Sequence, residues 1–169
     1  LSPGAQDCPA ASVLPLTDNK DMLKAKAASL AATGSTAGHL GTAWAWYLLS
    51  PAWASIWSLP TPVSDYNDGH ATKIAVLMTD GEYNTIGGIQ NGANVVTSSQ
   101  MAVDTCNAMK AKGIVVYTVG FKLTDPRAVA TLEACASGPN QSIRAEDGNE
   151  LRTAFNQIAL QIMSLRLSK

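Results

Sequence analysis

Five apolar residues in a row, Ile74-Ala75-Val76-Leu77-Met78, run straight into Thr79-Asp80-Gly81. An apolar run without alternation is the pattern of a strand buried on both faces, which places it in the middle of a parallel sheet. Thr-Asp-Gly then stops the strand and sets a carboxylate at its carboxyl end. That edge of an open α/β sheet is where ligands bind. Asp-Gly is also an ordinary turn pair, so this stretch alone leaves Asp80 as either a ligand-facing carboxylate or a turn cap.

The flanking sequence supplies the other layers. Residues 114–121 (Ile-Val-Val-Tyr-Thr-Val-Gly-Phe) form a second buried strand, preceded by Gly113 as the stop of a helix. That helix is capped by Ser98 or Ser99 and runs to 112, with Ala102, Thr105, Cys106 and Met109 facing inward. Asp125-Pro126 opens a helix to about 136, Pro sitting where its missing N–H costs nothing, with Leu132 and Cys135 toward the core. A short strand follows at 141–145. Asp147 and Glu150 have capping-box spacing before a last helix whose Leu151, Phe155, Ile158, Ile162 and Leu165 recur every three to four residues.

Upstream, residues 12–17 read as a short edge strand, because Pro15 cannot donate to a ladder. Thr17 or Asp18 caps a helix to about 32, with Leu23, Ala27 and Leu30 on one face and Gly34 at its end. After a small polar loop, 39–49 is a helix in which Leu40, Trp44 and Leu48 share a stripe widened by Ala43 and Tyr47. Residues 50–70 hold Pro51, Pro60, Pro62, Trp53 and Trp57 and show no period. They read as a long loop with at most a turn of helix, its tryptophans either packing back on the domain or exposed as a binding surface. Residues 82–97 are a Gly- and Asn-rich loop beside the strand edge. The order of elements predicts an α/β three-layer sandwich, a mostly parallel, doubly wound central sheet with helices on both faces. It is expected as one domain over 1–169 with 50–70 inserted.

Hydrophobic residues make up 46% of the 169 and charged residues 15%, the balance of a folded domain. A net charge of -1 without any basic run argues against nucleic acid. No apolar run is long enough to span a bilayer. The chain begins on Leu1 and carries no signal peptide, so a processed protein or a piece of a longer one is expected. Cys8, Cys106 and Cys135 form no Cys-x-x-Cys pair, which argues against zinc. They are either buried core residues or a disulfide with one thiol left over or paired elsewhere.

Gly34-Ser35-Thr36 opens a helix as Asp80 closes a strand. The Thr36 hydroxyl and the Asp80 carboxylate are hard oxygens at the same sheet edge, a pair that suits Mg²⁺ without completing its octahedron. Ser35, His39 and Glu82 stand beside them as candidate supporting residues; His39 equally reads as a packing or capping residue and Glu82 as a surface charge. Neither His39 nor His70 is partnered by a nucleophile motif, and no phosphate-binding glycine loop occurs.

Together, the apolar strand ending in Thr79-Asp80-Gly81, the preceding Gly34-Ser35-Thr36 and the Tyr117-Thr118-Val119-Gly120-Phe121 strand resemble a von Willebrand factor type A domain. More narrowly, the chain resembles the C-terminal part of TadG-like proteins of bacterial Tad (Flp) pilus assembly. That likeness rests on Leu14-Pro15-Leu16-Thr17, Gly38-His39-Leu40-Gly41-Thr42-Ala43-Trp44, Leu49-Ser50-Pro51, Asp80-Gly81-Glu82, Ala134-Cys135-Ala136 and Leu165-Arg166-Leu167.

The resemblance implies a metal-ion-dependent adhesion site holding Mg²⁺ or Mn²⁺. Thr36 would be its second-loop ligand and Asp80 its third-loop ligand. The family's Asp-x-Ser-x-Ser, which supplies two serines after the first strand, is absent from this chain. That strand would lie upstream of Leu1, leaving half a metal site and an uncovered flank on the 74–78 strand. The resemblance further implies a non-enzymatic module binding a carboxylate of a protein partner (pilin, minor pilin or envelope protein). It implies a periplasmic or surface location, with the membrane reached only through an N-terminal anchor outside this chain. It also implies a Cys106–Cys135 disulfide, with Cys8 paired upstream or free. The alternatives are a structural domain with a degenerate site, or a metal-dependent hydrolase on the same scaffold with Asp80 as base or ligand.

Overall fold

The computed structural model describes residues 11–31, 35–59, 61–86, 89–90 and 92–167. At its centre β4 (Val115–Phe121) lies between β1 (Ile74–Thr79) and β5 (Ser142–Ala145) in a parallel three-stranded sheet. Val76 stands opposite Tyr117, and Val119 opposite Ile143. Residues 116–120 of β4 are all buried, as expected of a strand covered on both faces.

One face of the sheet carries three helices, α2 (Gly38–Leu49), α4 (Gly92–Ala111) and α5 (Pro126–Cys135). Ala75, Leu77 and Val116 pack there against Cys106, Met109 and Cys135, with Ala45, Trp46 and Leu49 closing the cluster. The other face carries α6 (Gly148–Leu167), whose Ile158, Leu151 and Ile162 meet Tyr117, Val119 and Ile143. This is the expected α/β arrangement of helices around a parallel sheet.

The helix ends follow their local chemistry. Asp125 Oδ1 accepts from the Arg127 and Ala128 N–H groups and starts α5. Asp147 Oδ1 accepts from Asn149 and Glu150, while Glu150 Oε2 accepts from the Glu146 N–H, starting α6. Gly113, at φ 75°, ends α4; its N–H donates to Lys110 O, and that of Ile114 to Met109 O. A non-glycine residue would be strained in that left-handed conformation.

Several expectations give way. The 74–78 strand is not the central, doubly covered one: β1 is an edge strand of the described sheet. Its Ala75, Leu77 and Thr79 are buried, but Val76 is 39% and Met78 47% exposed. α6 packs mainly over β5 and β4. No strand forms at 12–17. Helix α1 (Lys20–Ala28) is capped by Asn19 rather than Thr17 or Asp18, and buries no residue, Leu23 included. Helix α4 begins at Gly92, after a hairpin of β2 (Thr85–Ile86) and β3 (Ile89–Gln90), so Ser98 and Ser99 are buried within it rather than capping it. In α2 the buried face is His39 and Thr42, flanked by Ala45, Trp46 and Leu49. The expected stripe faces outward, with Leu40 50% and Trp44 40% exposed. In the last helix Phe155 is exposed, and the Leu165 side chain lies outside the described residues, as does Gly34.

The 50–70 segment contains a 3₁₀ turn (Pro51–Trp53) and a short helix, α3 (Ala54–Trp57). Its tryptophans do pack back: Trp53 stacks on Tyr47 at 4.0 Å, and Trp57 Nε1 donates to Tyr47 O. Tyr66 ties down the far end, accepting from Trp46 Nε1 and lying under Lys73 Nζ, which donates to Leu49 O at the end of α2.

Candidate functional site

The Thr36 loop is held against the loop that follows β1. Asn84 Oδ1 accepts from the Thr36 N–H at 2.9 Å, and the Asn84 N–H donates to Thr36 O at 3.0 Å. This reciprocal clamp joins residues 48 positions apart and sets the register between the two loops. Below it, the buried Tyr83 ring presses on Gly38, where any Cβ would collide with the ring. Tyr83 shares a hydrogen bond with Thr42, and burial pushes its hydroxyl pKa up. Gly38 is therefore required by the close approach of α2 to the Tyr83 loop.

The Thr79-Asp80-Gly81 turn is closed by its own threonine. Thr79 Oγ1 donates to Gly81 O at 3.0 Å and accepts from the Gly81 N–H at 3.3 Å. The turn leaves Asp80 exposed at the carboxyl end of β1. Between the Thr36 loop, α2 and β1 runs a cleft of about 420 Å³, lined by Ser35, Thr36, Thr42, Val76, Met78 and Thr79 among others. Its long side is the open edge of β1.

Among the described residues, neither the Thr36 hydroxyl nor the Asp80 carboxylate has a hydrogen-bond or ion-pair partner. Both are hard oxygen donors, as Mg²⁺ or Mn²⁺ requires. No group of three or more His, Cys, Asp or Glu that could hold a metal occurs among the described residues. In donor chemistry alone the residues present suit a divalent ion, Thr36 from the cleft wall and Asp80 from the turn after β1, without forming a ligand cluster among the described residues.

The three neighbouring candidates occupy different places. Ser35 lines the cleft with Thr36. His39 turns away from it: Nδ1 and Ser98 Oγ share a 2.8 Å hydrogen bond inside the α2–α4 contact, both residues buried, and burial lowers the imidazole pKa. A Ser–His pair sealed between helices has no route to a substrate, so it serves packing. Glu82 leans toward α5, hydrogen-bonded to Asp125. Burial, then the Asp125 carboxylate, raises the Glu82 pKa. Asp125 is held low, first by the Ala128 N–H and then by that of Arg127. The two carboxyls, sharing one contact, are thus shifted in opposite directions.

Sequence reasoning did not single out Asn84 or Tyr83, and it read Ser98 as a helix cap and Gly38 only as part of a resembling stretch. Asn84 sits in a Gly- and Asn-rich stretch where Asn reads as a turn residue, and its partners are remote in sequence. The one usable signal is Tyr83, a large aromatic next to a turn of small polar residues.

Cys106 of α4 and Cys135 of α5 form a disulfide, with Cα atoms 5.1 Å apart, joining two helices on the same face of the sheet. Cys8 lies outside the described residues.

Residues 62–157, more than half of the chain, match the sequence model of the von Willebrand factor type A domain. Asp80, Asn84, Cys106 and Cys135 fall inside the match. Thr36 and α2 precede it, so their place in the site rests on the Asn84 clamp and the shared cleft. No curated protein matches the chain. With a parallel sheet, helices on both faces and an Asp-bearing turn at the strand edge, the match places this chain in the von Willebrand factor type A domain family.

Proposed function

We propose that this chain is a non-enzymatic protein-binding module of a bacterial cell-envelope system, of the Tad (Flp) pilus assembly or adhesion kind, working through a divalent-ion site. Domains of the family are generally protein-interaction modules, mostly non-enzymatic, and often bind Mg²⁺ or Mn²⁺. The observation that carries the reading is two oxygens without a partner among the described residues: Thr36 Oγ1 in the wall of a cleft along the open strand edge, and Asp80 on the exposed turn directly after the cleft residue Thr79.

A strand from preceding sequence, pairing with β1, would occupy that edge, cover Val76 and Met78, and bring the two missing serine oxygens to the cleft. Thr36 and Asp80 would then hold Mg²⁺ or Mn²⁺ from their side, with Ser35 beside them. The bound ion would supply a positive centre for a carboxylate of the partner, a pilin, minor pilin or envelope protein. The chain is taken as one domain with 50–70 inserted. The disulfide supports a periplasmic or cell-surface location, since such bonds persist in oxidising compartments.

The test is binding of the parent protein to its pilin in Mg²⁺ and in EDTA. Binding lost in EDTA and in Asp80→Ala supports the reading; binding indifferent to both contradicts it. A second reading, a structural domain with a degenerate site, is favoured by the absence, among the described residues, of any group of three or more His, Cys, Asp or Glu that could hold a metal. It predicts no metal dependence at all. Turnover in a screen of ester and phosphate substrates would contradict both readings.

A further inference from the structure

We infer that His39 is a pH-sensitive latch on the cleft: in acid it loosens the first turn of α2, which forms the wall next to Thr36. The latch is a property of α2 and α4. Only its consequence for ion binding rests on the metal reading above.

The first turn of α2 has little to hold it by itself. Its N-cap, Ala37, offers no side-chain acceptor, and glycines, poor helix formers, stand at 38 and 41. Thr42 Oγ1 donates to Gly38 O at 2.9 Å, a bond inside α2 that ties the turn to nothing else. From outside, the turn is held by the Tyr83 ring on Gly38 and by the 2.8 Å hydrogen bond between His39 Nδ1 and Ser98 Oγ of α4. Only the second of these contacts gains a charge just below neutral pH. Both of its residues are buried. The same turn sets Gly38, Gly41 and Thr42 in the cleft wall, close after Ser35 and Thr36.

An imidazolium has no place in that contact. α2 and β1 contain no Asp, Glu, Lys or Arg. α4 contains only Asp104 and Lys110, about 9 Å and about 18 Å of helix rise beyond Ser98. On the loop after β1, Asp80 is exposed, Glu82 leans on Asp125, and Tyr83 shares its hydrogen bond with Thr42. Burial is the resolved influence on the His39 pKa, and it acts downward. Position adds to it, since a cation at the second residue of α2 faces the positive end of the helix. A buried cation without a partner must lose its charge or open its site. Opening this site costs one uncapped, glycine-bearing turn and leaves the sheet packed, so the turn gives way before the domain does.

The experiment is amide hydrogen exchange of the whole chain in EDTA, read by NMR in low urea at about pH 7.5 and about pH 5.5, on either side of the free imidazole pKa. The probes are the Leu40 and Gly41 N–H groups, both bonded to Ala37 O, with the buried Val119 of β4 as the core reference. The expected result is exchange of Leu40 and Gly41 through a local opening, less protected than Val119 and insensitive to urea. Their protection factors should fall about tenfold from the higher to the lower pH, as uptake of one proton by the open state requires. In His39→Gln, which keeps a hydrogen-bonding side chain without the charge, that fall should vanish. Ser98→Ala, which removes the partner, should lower their protection already at the higher pH. Three results would overturn the inference: protection of Leu40 and Gly41 that equals that of Val119 and follows it in urea; a fall with pH that persists in His39→Gln; or protection unchanged in Ser98→Ala. Because every reading is made without ion, the latch and the metal site stand or fall separately.

Discussion

Asn84 grips the Thr36 peptide from both sides, its side chain accepting the Thr36 N–H and its own N–H donating to Thr36 O. One residue thereby fixes the distance between the two loops that carry the candidate ligands. Asn84→Ala would leave the half-buried Thr36 N–H without its partner, at a cost of about 1–3 kcal/mol. Urea unfolding should show that loss. Asn84→Asp, which keeps the acceptor oxygen, should recover most of it.

The Cys106–Cys135 bond closes a loop across the α4–β4–α5 unit, with a sequence separation of 29. Chain entropy assigns such a loop about 3–4 kcal/mol. Reductant, or Cys106→Ala with Cys135→Ala, should lower the urea midpoint accordingly. Alkylation of the unreduced chain followed by intact mass should block no more than one thiol; three blocked thiols would refute the bridge.

His39 gives a pH dependence of known sign. Burial against Ser98 lowers its folded pKa below the ordinary value of 6.5. As pH falls through 6.5 the unfolded chain takes up a proton that the folded chain refuses, so stability is full above that value and is lost below it. Glu82, held above its ordinary range, works in the opposite sense. The comparison is therefore made between wild type and His39→Gln, where Glu82 cancels. The loss of urea midpoint from pH 7.5 to 5.5 (values chosen to bracket the imidazole range) should be smaller in the variant.

The open β1 edge predicts association. Val76 and Met78 are exposed apolar residues on a strand with an unpaired ladder edge, the arrangement that templates edge-to-edge pairing. Sedimentation should show concentration-dependent oligomers that Met78→Lys reduces. A wild-type chain that stays monomeric and resists denaturant strongly would contradict the claim that a strand is missing beside β1.

Much of this fold was legible because its signals are local. Asp125-Pro126, Gly113 and Asp147 mark helix ends by backbone chemistry that needs no tertiary partner, and 114–121 is apolar enough to be recognised as a central strand. The errors arise where partners decide. In α2 both faces are made of Ala, Trp, Leu and Gly, so periodicity could not tell which is buried. The choice was made by His39–Ser98 and by Tyr83 over Gly38, contacts with remote residues. In α4 the polar and β-branched residues 94–99 hid a helix that tertiary packing carries back to Gly92. For β1, composition correctly marked an apolar strand, but no strand lies on its outer side among the described residues to cover it. Asp80 and Thr36 were visible as types in a pattern; the Asn84 clamp that relates them was not.

The central claim is that Thr36 and Asp80 are ligands of one divalent ion. The most direct measurement is thermal unfolding of the chain in Mn²⁺ or Mg²⁺ against EDTA, with Asp80→Ala and Thr36→Ala beside the wild type. An ion that binds only the folded state stabilises it by RT ln(1 + [L]/Kd), about 2.7 kcal/mol at a hundredfold excess over Kd. The account predicts an upward shift of the wild-type midpoint with ion concentration, abolished in both variants. A shift that survives Asp80→Ala, or no shift either in this chain or in a longer one carrying the preceding strand, would contradict it.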